Sequence, residues 1–107
     1  MDINKLELVE KLKVNQNRQD EINNLLLSIP KGHINTLYRN NKGYYYLTYR
    51  NGKKINNDYL GPVGKTDLSD IMRNLTLREN LKKELRYLKN EEKYFKKQIG
   101  RRKIVQE

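Results

Sequence analysis

The sequence predicts an α+β fold, with an N-terminal helix, a three-stranded antiparallel β-meander and a long C-terminal helix. Apolar residues recur at helical spacing near both ends of the chain, whereas the centre alternates with a period of two. Clusters of glycine, proline and asparagine stand at the borders between these segments. With 107 residues, 36% hydrophobic and 34% charged, the chain is expected to form a single domain, 1–107, around one modest core.

The first helical region is predicted over residues 1–29, with Asp2 as its N-cap. Its apolar stripe is expected to contain Ile3, Leu6, Val9, Leu12, Ile22, Leu25, Leu26 and Ile29. Residues 15–21 are wholly polar, so the helix either continues with an exposed middle or breaks there. Because no glycine or proline interrupts this stretch, we favour a continuous helix that ends at Pro30 and Gly32.

The centre, residues 33–60, predicts the β-meander, with strands over His33–Arg39, Tyr44–Arg50 and Lys53–Leu60. The first connection, 40–43, contains residues that tolerate positive φ, and Asn51-Gly52 is typical of a two-residue type I′ turn. A turn at 61–64 is expected to lead out of the sheet. Alternation along the middle strand divides its side chains between two faces. The face expected in the core carries Tyr45, Leu47 and Tyr49, and the face expected to meet solvent or a ligand carries Tyr44, Tyr46, Thr48 and Arg50.

The last helical region is predicted over 67–100, capped by Thr66 or Asp67. A capping-box pattern at 76–79 leaves open whether the helix breaks near 75–77 or runs through. A coiled-coil-like seam follows, formed by Leu81, Leu85, Leu88, Phe95 and Ile99, with Glu92 as a polar interruption. Gly100 is expected to end the helix and 101–107 to form a basic tail with Arg101, Arg102 and Lys103. The seam fits either antiparallel packing against the first helix or a homodimer, and the sequence does not choose between them.

The net charge of +10 is concentrated in the centre of the chain. Residues 30–66 carry seven lysines or arginines against one acid, Asp58, whereas residues 1–29 have a net charge of −1 and residues 67–107 one of +5. Such a nearly acid-free segment is typical of surfaces that bind polyanions. The alternative is a surface that only keeps the protein in solution.

The tyrosine-rich hairpin is the candidate binding surface for nucleic acid. Rings of Tyr44 and Tyr46 are expected to stack on bases while Arg50, Lys53 and Lys54 hold the phosphate backbone. Three further cations complete the predicted site: Arg39, Lys42 and Lys65. The alternative is that the tyrosines only pack across strands. Eight tyrosines against one phenylalanine and no tryptophan favour partly wet positions, where a hydroxyl group is useful.

Two further basic features are weaker candidates. The loop 61–66 ends like a phosphate-binding loop, but only two residues separate its glycines and Pro62 lacks an amide proton, so it departs from the nucleotide-binding pattern. Lys65 and the loop amides could still hold one phosphate at the helix start. The last helix carries Arg78, Lys82, Arg86, Lys89, Lys93, Lys96 and Lys97, which could follow a phosphate backbone. Interspersed glutamates, Glu84, Glu91 and Glu92, favour a solvated face instead.

Several classes of function are not expected. The chain has no cysteine, and its single histidine, His33, has no acid but Asp58 in its segment, so we expect no disulfide, no metal site and no cofactor. No nucleophile–base pair or paired carboxylate site stands out, so we expect no enzymatic activity. No apolar run approaches the roughly 20 residues that span a bilayer. We therefore expect a cytoplasmic protein with no membrane partner.

Three motifs carry a resemblance to known proteins. They are 29–32 (Ile-Pro-Lys-Gly), 44–54 (Tyr-Tyr-Tyr-Leu-Thr-Tyr-Arg-Asn-Gly-Lys-Lys) and 59–61 (Tyr-Leu-Gly). With them the chain resembles a family of small bacterial, archaeal and phage proteins of unknown function. Its members share a helix, a proline–glycine break, a tyrosine-rich hairpin and a long charged helix. The layout covers most of the chain, and the resemblance implies a phage or mobile-element origin.

Three functional hypotheses follow from the sequence. The first is a nucleic-acid-binding accessory protein that contacts backbone and bases through the hairpin. The second is a phage-encoded inhibitor of a nucleic-acid-guided defence complex, similar to anti-CRISPR proteins, that binds a protein–RNA effector. The third is a coiled-coil interaction module that dimerises through the seam. The expected partner is therefore nucleic acid itself, a ribonucleoprotein or a second copy of the chain.

Overall fold

The structure, a computed structural model, describes residues 4–105, and of residues 101–105 only the backbone. Its elements are α1 (Lys5–Ser28), β1 (His33–Arg39), β2 (Lys42–Asn51), β3 (Lys54–Pro62) and α2 (Ser69–Val105), which confirms the predicted α+β fold. The chain divides into two compact units. The helical unit contains α1 and α2 from Glu79 onwards, and the sheet unit is Ile29–Arg78. Within residues 4–105, neither helix combines the length and the apolar character that crossing a bilayer requires.

Helix α1 begins at Lys5 because Asn4 caps it. The Asn4 Oδ1 accepts the Glu7 amide at 2.8 Å, and Asn4 Nδ2 donates to Glu7 Oε1 at 3.5 Å. The predicted cap, Asp2, lies outside the described residues. The helix then runs without interruption to Ser28, so the prediction of a continuous first helix is confirmed.

The apolar stripe of α1 differs from the predicted one. Its buried residues are Leu8, Asn15 and Ile22, each seven residues apart. Leu6 is 69% exposed and Val9 43%, so the predicted stripe was wrong at these positions. Leu25 is exposed as well, and Ile3 lies outside the described residues. The physical reason is that a steady spacing of three drifts around a helix, whereas contact with a second helix repeats every seven residues.

Helix α2 supplies the partner seam. Its buried residues are Leu81, Leu88 and Phe95, again seven apart, while Leu85, Glu92 and Ile99 are half-buried, which agrees with the predicted seam. Arg18 of α1 contacts Glu84, and Asn15, three residues earlier, contacts Glu91, so the helices run antiparallel. The seam is thus covered by α1 within a single chain, and self-association is not needed to bury it.

The polar middle of α1 is exposed at most positions as predicted, but Asn15 is buried and forms a polar layer inside the helix pair. Asn15 is only 3% exposed and donates to the Leu88 carbonyl at 2.8 Å and to Glu91 Oε1 at 3.0 Å. It also accepts a hydrogen bond from Gln19 at 2.6 Å. Buried amide groups are satisfied by hydrogen bonds in this way, and such layers fix the register of paired helices.

Two acids of α2 beside the polar layer accept hydrogen bonds from α1. The guanidinium of Arg18 donates twice to Glu84, at 2.6 and 2.9 Å, and this hydrogen bonding lowers the pKa of the Glu84 carboxyl. Gln16 donates to Glu92 at 3.0 Å and lowers the pKa of that carboxyl in the same manner. Favourable donors to the ionised form are the common cause.

Helix α2 is a single helix from Ser69 to Val105, with no break near 75–77. The prediction that Gly100 ends it was wrong, and the backbone of residues 101–105 is helical rather than a tail. One glycine in a helix interior costs only about 1 kcal/mol relative to alanine, which favourable neighbours offset. At its start Asp67 accepts the Ser69 amide at 2.9 Å, which identifies Asp67 rather than Thr66 as the cap.

The sheet has the strand order β1-β2-β3, antiparallel throughout. Both of its turns differ from the predicted ones. Asn40 and Asn41, with φ of 53° and 62°, form the two-residue loop with the φ pattern of a type I′ turn. In the second hairpin Asn51 pairs with Lys54, so the loop residues are Gly52 and Lys53. Only Gly52 there has a positive φ, 65°, which is the type II′ arrangement and corrects the predicted type I′ turn.

Candidate functional site

The pairing of β2 with β3 sets the face on which the third strand presents its tyrosine, and a β-bulge follows that tyrosine. Tyr45 pairs with Gly61 but Tyr46 pairs with Tyr59, so Leu60 is the extra residue. The strand therefore continues to Pro62 instead of ending at Leu60 as predicted. Because paired residues share a face, the pairing of Tyr59 with Tyr46 places the Tyr59 ring beside the predicted ligand face of β2, and the bulge lies beyond this pair.

Three tyrosine rings meet on this face. The ring centroids of Tyr46 and Tyr59 are 5.5 Å apart at an interplanar angle of 58°, and those of Tyr44 and Tyr59 are 6.3 Å apart at 51°. Tilted pairs at these distances are favourable because the positive edge of one ring approaches the negative face of the other. Tyr59 is thus the ring shared by both pairs, although it is 56% exposed.

The rings line a cavity of about 530 Å³, named here the aromatic cavity. Its walls are Leu37, Tyr38, Arg39, Tyr44, Tyr46 and Tyr59. Leu37 pairs with Tyr44 across β1 and β2, and Tyr44 and Tyr46 are half-buried. Arg39 is the single charged group among the six, and none of them is an acid. The volume and the mixture of apolar wall and few polar groups are typical of small-ligand sites.

A second cavity, also of about 530 Å³, shares Tyr38 and Tyr44 with the first and is named here the basic cavity. Its other walls are Asn41, Lys42, Gly43, Pro62, Val63 and Lys65. A Cβ at position 43 would lie 2.7 Å from Val63 Cγ2 and 2.9 Å from Tyr38 Cε1, so these two side chains would have to move to accommodate one. The Val63 amide donates to the Gly43 carbonyl at 2.9 Å, which fixes the loop after β3 against the first hairpin.

The predicted site residues divide into two groups. The aromatic cavity contains Arg39, Tyr44 and Tyr46, and the basic cavity contains Lys42, Lys65 and Tyr44 again. Three predicted cations, Arg50, Lys53 and Lys54, lie at the other end of the hairpin. Arg50 follows Tyr46 by four residues, roughly 13 Å along a strand. Lys54 pairs with Asn51, which places it on the face opposite Tyr46.

Thr48 separates the two groups and corrects the predicted roles of the faces. It lies on the predicted ligand face, yet it is the most buried residue of β2, at 9% exposure. Its hydroxyl accepts from Asn35 Nδ2 at 2.7 Å and donates to Asn57 Oδ1 at 2.6 Å. The predicted core residue Leu47 is only half-buried. A cross-strand hydrogen-bond network therefore occupies the middle of this face, and the open part is confined to the aromatic end.

In the loop after β3, the Lys65 amide, one of the groups expected to hold a phosphate at the helix start, is already hydrogen-bonded within the loop. The Thr66 hydroxyl donates to the Pro62 carbonyl at 2.8 Å, and the Lys65 amide donates to the same oxygen at 3.3 Å. An anion already lies just before the first turn of α2, because Asp67 accepts from the Ser69 hydroxyl and amide, which lowers the pKa of the Asp67 carboxyl. Only the side chain of Lys65 stays part of the candidate site.

Three residues of the aromatic cavity are not among the predicted site residues: Leu37, Tyr38 and Tyr59. Leu37 and Tyr38 were treated as ordinary strand residues, although a two-residue turn after Arg39 places them opposite Tyr44 and Gly43. The signal for Tyr59 was the short turn at Gly52, because the register that starts at this two-residue loop continues to the pair of Tyr59 with Tyr46. Comparison with protein-family models, curated proteins and solved structures finds no significant match to the chain. The family resemblance therefore stays a prediction.

Proposed function

We propose that the protein binds single-stranded nucleic acid through the sheet unit, with bases in the aromatic cavity and phosphates in the basic cavity. The observation that carries the proposal is the convergence of Tyr44, Tyr46, Tyr59 and Arg39 on one open cavity. Base stacking on aromatic rings and an adjoining positive groove are the two components of sequence-tolerant binding to single strands.

The partial exposure of the tyrosine rings favours a binding role over cross-strand packing alone. Tyr44 and Tyr46 are half-buried, so little rotamer freedom would be lost when a base stacks on them. Tyr59 keeps more than half of its surface exposed and leaves a ring available to the ligand. Cross-strand packing alone would account for the ring contacts but not for the open volume between them.

The charges fit a polyanion. Lys42 and Lys65 line the cavity that adjoins the rings, and the segment 30–66 around them has one acid, Asp58, against seven cations. Asp58 pairs with Leu47, on the face opposite Tyr46, so it does not repel a ligand at the rings. Bases inside a duplex are not accessible to such a cavity, which is why an unpaired strand is the expected ligand.

The test is the affinity of the wild type and of Tyr59→Ala for fluorescently labelled short oligothymidylate and oligouridylate. Loss of a stacking ring costs about 1–3 kcal/mol per base, so Kd is expected to rise roughly 5- to 150-fold. Tyr59→Phe keeps the ring and is expected to bind within about threefold of wild type. Tyr87→Ala removes an exposed tyrosine from α2 and serves as the matched control. Equal affinity of wild type and Tyr59→Ala would exclude the aromatic cavity as the site.

A further inference from the structure

Five cations of α2 lie on one face of the helix. They are Lys82, Arg86, Lys89, Lys93 and Lys96, named here the basic row. Their spacing of four, three, four and three residues aligns them along one side of a helix. At 1.5 Å per residue the row is about 21 Å long. All members but the half-buried Lys82 are exposed.

Each of the three acids within the row's segment contacts α1, and Glu92 also contacts the row. Glu84 is held by Arg18 of α1, Glu91 by Asn15 and Glu92 by Gln16. Among the side chains that the structure describes, the row meets carboxylates only at its two ends. Those contacts are Lys82–Glu79 at 3.8 Å and Lys96–Glu92 at 3.7 Å, both of them long, and Glu92 is the least exposed of the four side chains at 22%.

The contacts of the glutamates with α1 bear on whether the basic face of α2 is neutralised, as the sequence suggests. Along the chain, glutamates alternate with lysines and suggest a neutralised, solvated helix face. In the helix pair, Glu84 and Glu91 contact α1 instead, and Glu92 contacts both α1 and Lys96. The face with Arg86, Lys89 and Lys93 consequently keeps its positive charge.

We propose that the basic row is a second binding surface, which contacts the phosphate backbone of nucleic acid independently of the aromatic cavity. Buried Leu81, Leu88 and Phe95 hold the helix that carries the row, so the cations are presented on a rigid support. A regular line of cations matches the regular line of charges on a phosphate backbone. An acidic protein surface is less well matched, because the row contains no aromatic or aliphatic anchor of the kind that dominates protein interfaces.

The test is the salt dependence of binding to a long single-stranded oligonucleotide. Each neutralised phosphate contributes about 0.7 to the slope of log K against log salt for single strands. The variant Arg86→Gln/Lys89→Gln/Lys93→Gln is therefore expected to lower the magnitude of the slope by about 2. The control, Lys5→Gln/Lys11→Gln/Arg73→Gln, removes the same charge outside the row and is expected to change it by less than about 0.5. Equal slopes for the two triple variants would overturn the proposal.

Two further measurements distinguish binding at the basic row from binding at the aromatic cavity. The triple row variant is expected to bind a thymidine dinucleotide as the wild type does, whereas Tyr59→Ala is expected to weaken dinucleotide binding without changing the slope for the long strand. If Tyr59→Ala binds normally but the row variant loses slope, the cavity proposal fails and the row proposal stands. A wild type that binds no nucleic acid at low salt overturns both. Poly-glutamate that competes as well as the oligonucleotide at equal charge would overturn the choice of a nucleic-acid partner.

Discussion

Replacing Asn15 by alanine tests the polar layer that positions the helical unit. The substitution removes two donated hydrogen bonds, to Leu88 and Glu91, and one accepted from Gln19. Each such bond contributes about 0.5–1.5 kcal/mol net, but Glu91 and Gln19 are half-buried and recover part of the loss from water. We therefore expect the free energy of unfolding to fall by about 1–3 kcal/mol.

The assay is urea unfolding followed by far-ultraviolet circular dichroism. Asn17→Ala is the matched control, because Asn17 is exposed in the same helix, and it is expected to change stability by less than about 0.5 kcal/mol. Asn15→Leu places an apolar residue in line with Leu8 and Ile22. It is expected to retain or raise stability while loosening the register, with dimers detectable by light scattering. If Asn15→Ala and Asn17→Ala unfold at the same urea concentration, the buried layer does not stabilise the helix pair.

Two other predictions concern pH and glycine. Because the Arg18 guanidinium lowers the pKa of Glu84 below its ordinary 4.5, this ion pair stabilises the folded state fully above that pH and loses its effect as the pH falls through the folded pKa. In a thermal-unfolding series between about pH 7 and about pH 3, the thermal midpoint of Glu84→Gln should therefore fall less steeply toward acid pH than that of wild type. Parallel declines of the two proteins would contradict this prediction. Gly61→Ala is expected to destabilise the sheet unit, because φ there is 143° and the new Cβ would collide with Thr66 Oγ1. Gly100→Ala is expected to raise the thermal midpoint, because the new methyl group meets open space and alanine favours a helix more than glycine does. A change of opposite sign in either variant would refute the backbone role assigned to that glycine.

The helices and strands, and the residues with which α2 contacts α1, could be predicted from the sequence. Period-two alternation located β1 and β2 to within two residues, and the seam from Leu81 to Ile99 was found because its apolar residues repeat on a heptad pattern. The matching seam on α1 was missed, because its central position is Asn15 and a hydropathy pattern reads a buried amide as exposed. Whether an amide is buried depends on acceptors from another helix, here Leu88 and Glu91.

The candidate site was predictable in composition but not in extent. Tyr44 and Tyr46 follow from alternation alone, whereas Tyr59 joins them through the β2–β3 register, which runs unbroken from the Asn51–Lys54 pair to the Tyr46–Tyr59 pair. The length of the hairpin turn sets that register, so the turn must be known before the partner of Tyr59 can be assigned. Likewise Thr48 shows a polar residue buried by partners on both neighbouring strands.

Chemical-shift mapping of the amide and tyrosine-ring signals during titration with a short single-stranded oligonucleotide tests the central claim most directly. The proposed function predicts that the largest changes occur at Arg39, Tyr44, Tyr46 and Tyr59, with smaller ones at Lys65 in the basic cavity. Signals of the Arg50 end of the hairpin should change little, because roughly 13 Å of strand separates it from the rings. Shifts at Arg50 with unchanged Tyr44, Tyr46 and Tyr59 rings would contradict the assignment of the aromatic cavity.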